Sequence, residues 1–337
     1  MNKMHRESVI IAAKRSPIGS FQGQFSTLSA SDLASFVIKD ILNNLAISPE
    51  QINEVILGNV LSAGQGQSPA RQATIKGGCP NSVESLTINK MCGSGLKSVM
   101  LGDQAIKSGD ADIILAGGME SMSNAPYLLN NMRLGQKLGH NKIIDSMIHD
   151  GLWDAYTNQH MGNCAEMLAQ ERSYGREAQD DFAIESYNRA INAIENNIFS
   201  SEIVPIKINQ KRGTSFICST DEEPGRVNFD KIPNLKPVFS NDGTITAANA
   251  SKLNDGAAVL MITSDKKAEE LGLKPLARIV GHCSVAHEPE WFTTAPGKAI
   301  YKVLEKTGME ISNIDLWEIN EAFSVVTMAA MEDLNIP

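Results

Sequence analysis

The chain has 337 residues, 42% of them hydrophobic and 20% charged, a globular mix that excludes disordered, collagen-like and mini-scaffold classes and suggests two domains or one large two-part domain. Its 30 Lys and Arg against 39 Asp and Glu give a net charge of −9, which argues against nucleic acid and acidic membranes as partners, so an anionic ligand needs local basic residues. Five scattered cysteines without C-x-x-C or Cys/His ligand spacing, no apolar run near the roughly 18 residues of a membrane span, and no room for a leader before Val9–Ala13 point to a reduced, cytoplasmic chain without a metal site.

In chain order, residues 8–13 read as a buried strand stopped by Pro17 and Gly19, and Ser31 or Asp32 can cap a helix carrying Leu33, Phe36, Val37, Ile41 and Leu45. A turn, a short helical stretch and a strand follow in SPEQINEVILGNV. Residues 87–91 then read as a strand running into Cys92, residues 96–107 as a helix and residues 112–116 as a strand. Residues 1–121 thus form one layered α/β half. Residues 122–250 are rich in Asn, Met, Ser and Gly, with one clear helix around 177–197, and read as an inserted loop domain. Residues 251–337 return to the first pattern, with strands at 257–263 and 277–285, a helix at 297–307 and a strand in SNIDLWEIN. The return resembles the first half at an offset of roughly 262 residues, and on that repeat the second copy is roughly 44 residues short.

Chemistry concentrates where strands meet Gly-rich turns. INKMCGSGLKS places Cys92 at a helix start, where backbone N–H groups are free, either as a nucleophile or as a small cysteine closing a tight turn. The helix end offers about 0.3–1 kcal/mol, too little to make a thiolate dominant, so a base is required. His160, at the start of a helical segment, can hydrogen-bond a thioester or cap the helix. Small residues 247–251, after an expected turn and strand, admit either an extended ligand or tight packing, and Asn320 ends a strand as a site residue or a helix cap. Lys207, Lys211, Arg212, Arg226, Lys231 and Lys236 can receive phosphates or simply form solvated surface.

Together, NKMCGSGLK, AGGMESMS, HMG, ANASKLNDG and NEAF, in this order, resemble the thiolase family in its acetyl-CoA C-acetyltransferase branch. The resemblance implies a layered α/β/α/β/α fold of two similar halves with an inserted loop domain. It also implies acylation of Cys92, and a water held by Asn320 in an oxyanion hole. CoA thioesters are then substrates, with no separate cofactor. His160 and Met161 line the pantetheine and acetyl pocket, Ser251 lies beside the pantetheine, Leu152, Phe239 and Phe323 match further pocket positions, and Arg226 matches an adenine contact. A homodimer or homotetramer is expected.

The family's Gly-His-Pro and Cys-x-Gly-Gly-Gly segments are absent from these residues, giving the expectation of a second half lacking its C-terminal segment. The expected reaction interconverts two acetyl-CoA with acetoacetyl-CoA and CoA. Its rivals are a longer-chain 3-ketoacyl-CoA thiolase and a catalytically impaired CoA-binding fragment.

Overall fold

The computed structural model describes residues 6–45, 47–209 and 213–336. The opening residues read as leaving no room for a leader, and Lys211 and Arg212 of the basic stretch, lie outside them. Two compact units are each assembled from separate stretches. Met1–Gly151, Asn196–Glu223 and Leu253–Ile279 make the first, and Leu152–Glu195, Pro224–Lys252 and Val280–Pro337 make the second.

The first unit is built on a seven-stranded sheet. Its elements are β1 (Ser8–Arg15), α1 (Ala30–Asn44), β2 (Glu54–Gly58), α2 (Pro69–Lys76), β3 (Glu84–Ile88), α3 (Ser94–Ser108), β4 (Ile113–Ser121), β5 (Asn254–Ser264) and β6 (Ala277–Arg278). The strand order is β6-β1-β5-β4-β2-β3, with Gly19–Ser20 also paired to β5. Strand β2 lies parallel to β3 and β4, whereas β1 and β4 run antiparallel to β5. Period-two alternation gives the sheet two buried faces. Val55, Leu57, Ile113 and Leu115 pack with Leu33, Val37 and Ala73 of α1 and α2, while Ile56, Ile114 and Ala116 pack with Ile106 of α3.

Helix α1 begins two or three residues before the caps expected from the sequence. Ser29 is the cap: its Oγ accepts from the Asp32 N–H, and the Asp32 carboxylate accepts from the Ser29 N–H. Strand β3 also ends before the expected boundary, because residues 89–91 leave the ladder to form the turn before Cys92.

The second unit packs helices α4 (Met161–Glu171), α5 (Arg176–Glu195), α6 (Ala295–Thr307) and α7 (Ser324–Leu334). Helix α7 is touched by the other three, and its Val325, Val326 and Ala329 share a core with Ala165, Leu168 and Ile245. A helix enclosed on several sides loses the one-sided apolar stripe by which a sequence announces it.

Three expected strands differ from the structure. Residues 277–285 pair only over Ala277–Arg278, residues 312–320 form no ladder, and residues 243–246 are a loop. A strand persists only where a neighbour takes its N–H and C=O groups. Among the described residues no strand pairs with 312–320, where Leu316 is 89% exposed. In 244–246 the N–H groups are taken by the side chains of Glu166 and Asn249 rather than by a strand, while Ile245 C=O accepts from Val238 N–H.

Candidate active site

In the first unit, Cys92 lies immediately outside the α3 N-terminus, whose cap is Gly93. The turn that presents it is tight: Met91 adopts φ +49°, a left-handed conformation that a residue with a Cβ rarely takes. Ser94 holds this turn from both sides, its Oγ accepting from Lys90 N–H at 2.8 Å and donating to Met91 C=O at 2.6 Å. The Asn89 side chain accepts from Met91 N–H at 2.9 Å. Beneath it the end of β2 comes so close that a Cβ on Gly58 would sit 2.6 Å from Ser94, so glycine there lets the helix start abut the sheet.

Cys92 is exposed, whereas Cys79, Cys164 and Cys218 are buried and Cys283 is half-buried. Although its side chain reaches the surface, the protein mass around the sulfur disfavours a thiolate and pushes its pKa up. A backbone hydrogen bond at Cys92 itself opposes the shift, and the Glu120 charge adds to it. The small lowering expected from the helix start is therefore outweighed, and the resting group is a thiol. Glu120 gives the AGGMESMS segment a physical role: its carboxylate accepts from the N–H groups of Val60 and Leu61 and from Asn59 Nδ2, fixing the chain after β2.

The second unit brings together two motifs far apart in sequence. Ser251 N–H donates to Ala322 C=O at 3.0 Å, Ser324 N–H donates to Asn249 C=O at 2.8 Å, and Ala250 bridges Phe323. A cavity of about 290 Å³ beside this pairing is lined by Ser186, Tyr187, Ser251, Lys252, Asn320 and Glu321, among others. Side chains hold the loop that leads into its lining residues Ala248–Lys252. Glu166 accepts from the N–H groups of Thr244 and Ile245, and buried Asn249 accepts from Thr246 N–H while donating to Asp180 and to Thr244 C=O.

His160 caps α4, its Nδ1 accepting from Gly162 N–H at 3.0 Å. Accepting at Nδ1 requires the neutral tautomer with its proton on Nε2, and burial lowers the pKa of the ring. The imidazole thus caps the helix with one nitrogen and retains an N–H donor on the other. Its ring stacks on Phe239 with centroids 4.7 Å apart, and Phe239 meets Phe323 edge-on. Any Cβ on Gly162 would lie 2.2 Å from the Phe239 ring, which accounts for the glycine in HMG.

Of the sequence-derived candidates, the structure places Ser251 and Asn320 on the cavity, and His160, Phe239 and Phe323 in one aromatic group. Met161 packs against the core of α4 and α7. Leu152 directly precedes Trp153–Asp154, which pairs with Gln159–His160. Exposed Arg226 is not among the cavity-lining residues, although Pro224 of the same turn is. Asn320 caps no helix, since the α7 cap is Phe323. Sequence reasoning missed Lys252 and Tyr187 at the cavity and the bracing residues Glu166 and Asn249; a buried-loop Asn beside small residues was the available signal for the last.

Comparison with known proteins gives consistent matches. The sequence model described as "Thiolase, N-terminal domain" matches residues 8–266, and "Thiolase, C-terminal domain" matches residues 273–337. Against the expectation of a truncated second half, the C-terminal domain is present, matching residues 273–337, while the Gly-His-Pro and Cys-x-Gly-Gly-Gly segments do not occur in these residues. An acetyl-CoA acetyltransferase of Schizosaccharomyces pombe is 48% identical over 334 residues, covering 99% of this chain and 85% of the relative. A probable acetyl-CoA acyltransferase of Staphylococcus aureus is 46% identical over 330 residues, covering 98% and 84%. The crystal structure of the Bacillus anthracis acetyl-CoA acetyltransferase superposes with a TM-score of 0.96 at 38% identity, covering 99% of this chain and 84% of that one.

Proposed function

The chain belongs to the thiolase family, and on that premise we propose that it is an acetyl-CoA acetyltransferase interconverting two acetyl-CoA with acetoacetyl-CoA and CoA. The observation that carries this reading is an exposed cysteine on a strained turn at a helix start, within a fold shared with an acetyl-CoA acetyltransferase.

Cys92 is the nucleophile. Its thiol gives up a proton to a base and attacks the thioester carbonyl of acetyl-CoA; the C–S bond to CoA breaks, and CoA leaves as a thiol. Because Cys92 rests protonated, removal of that proton belongs to the acylation step. A second acetyl-CoA then gives an α-proton to a base, which later returns it to the Cys92 sulfur, and the enolate carbon attacks the acetyl-cysteine. The new C–C bond forms as the C–S bond to Cys92 breaks, and the sulfur recovers a proton.

Negative charge collects on carbonyl oxygen in both steps, and N–H donors stabilise it. Cys92 N–H serves one oxygen, and Asn320, through a water, serves the other. The Nε2–H of neutral His160 donates to a thioester oxygen. Ser251 holds the pantetheine, and Arg226 contacts the adenine. Leu152, Met161, Phe239 and Phe323 enclose a small acyl group. CoA thioesters are the substrates, and no further cofactor takes part.

The same reading gives a homodimer or homotetramer working in the cytoplasm, in fatty acid metabolism. Among the described residues strand β3 ends the sheet without a further strand beside it, with Leu86 41% exposed, an edge suited to a second copy. Exposed Tyr127, Leu134 and Leu138 offer a further apolar surface. Light scattering tests the assembly, and a monomer at micromolar concentration would contradict it. The activity is tested by thiolysis of acetoacetyl-CoA alongside a longer 3-ketoacyl-CoA: faster turnover of acetoacetyl-CoA supports the reading, and preference for the longer substrate overturns it.

A further inference from the structure

Lys252 lies in none of the positions that the family resemblance assigns, yet it lines the cavity next to Ser251. Half-buried, it donates to Ala247 C=O, and its ammonium stands 5.9 Å from the centre of the Tyr187 ring. That geometry tethers a cation at the cavity between a carbonyl and an aromatic face. Opposite in charge is Glu321, tied to Ser186 Oγ at 2.7 Å. The remaining lining residues, Ala183, Ala190, Pro224, Ala248, Ala250 and others, carry no formal charge. On a chain of net charge −9, an anionic ligand entering this cavity meets unfavourable long-range potential and depends on a cation at the point of contact. Pantetheine carries no charge, so a cation beside it adds little unless it reaches the phosphorylated part of the ligand.

We propose that Lys252, steadied by Tyr187, is the phosphate contact that lets this cavity select CoA over unphosphorylated pantetheine. Resting on the acetyl-CoA reading above, the proposal deepens it by naming a specificity residue absent from the motif assignments.

Calorimetric titration of the full chain with CoA, dephospho-CoA and pantetheine tests it, using the wild type, Lys252→Gln and Lys252→Arg. Lys252→Gln should weaken CoA about 5-fold while leaving pantetheine unchanged, and Lys252→Arg should restore most of the loss. The deficit should shrink as salt rises. If dephospho-CoA shows no deficit, the contact is the 3′-phosphate; if it shows the full deficit, the contact is the diphosphate, and either supports the proposal. Equal weakening of CoA and pantetheine, or no weakening of CoA, overturns it. A wild-type chain that binds none of the three would instead overturn the acetyl-CoA reading itself.

Discussion

The two units position their chemistry by different means. Cys92 stands on a turn between a sheet strand and α3, held by Ser94 and Asn89 through bonds that span only a few residues. The cavity of the second unit is instead held by side chains reaching far along the chain, such as Glu166 to residues 244 and 245 and Asp180 to Asn249. Local pins keep a reacting atom in place while distant parts breathe. Long-range pins tie a binding loop to the stability of the helices beneath it.

That contrast can be broken most sharply at Cys92. Replacing it with Ser should reduce acyl transfer on the order of 10⁴-fold or more while CoA affinity holds, because it removes only the nucleophile. Comparing turnover with calorimetric affinity checks this; a parallel loss of binding would show that the turn also braces the ligand.

Asn249→Ala should do the opposite, weakening stability and CoA affinity together. The buried side chain makes one bond as acceptor and two as donor, and its removal leaves Thr246 N–H and Asp180 Oδ1 without it, although Arg176 still pairs with Asp180 Oδ2, at a cost of about 1–3 kcal/mol. Thermal melts with and without CoA separate the two effects. A variant with unchanged melting temperature would remove the distinction between local and long-range pins.

His160 provides a smaller, pH-dependent effect. Since burial lowers its pKa, the native ring binds fewer protons than the unfolded chain in the window between its depressed value and about 6.5. The associated stability is complete above that window and is lost as pH falls through it. His160→Gln should flatten this acid-side loss in a melt-versus-pH series, whereas an unchanged series would place the effect elsewhere. Ser251→Ala should be mildest, raising the apparent KM for acetyl-CoA a few-fold with little change in kcat, because its proposed partner is pantetheine rather than the reacting carbon. A fall in kcat at saturation would move Ser251 into the chemical step.

The same contrast explains what the sequence revealed. Strands β1, β2, β4 and β5 were legible because continuous apolar runs between turn residues have few other solutions, and Cys92 because a Gly-rich turn follows its strand. Boundaries shifted where side chains rather than periodicity decide, as with Ser29 capping α1. Helix α7 was hidden because it is buried on several faces. Residues 312–320 carry a strand-like apolar pattern, but a ladder also needs a neighbour, which no local pattern supplies. In the site, the motifs marked Ser251 and Asn320, whereas Lys252 became visible only when the loop and α5 were seen to share a cavity.

The nucleophile assignment also orders the cysteines. Exposed Cys92 should react first with a haloacetamide, half-buried Cys283 next, and Cys79 and Cys164, whose thiols burial pushes up to about 11, last along with buried Cys218. With its own pKa raised, Cys92 should keep gaining reactivity above the ordinary thiol value of about 8.5. Peptide mapping across pH reads both features, and a rate that levels off below that value would contradict the raised pKa.

The central claim is that Cys92 carries the acyl group between two CoA thioesters. Mixing the chain with acetyl-CoA and mapping the acetylated peptide by mass spectrometry tests it most directly. The account predicts one acetyl group, on the 89–97 segment at Cys92, that hydroxylamine removes and that added CoA returns to acetyl-CoA. Acetylation at another cysteine, or an acetyl group on Cys92 that CoA cannot take back, would contradict it.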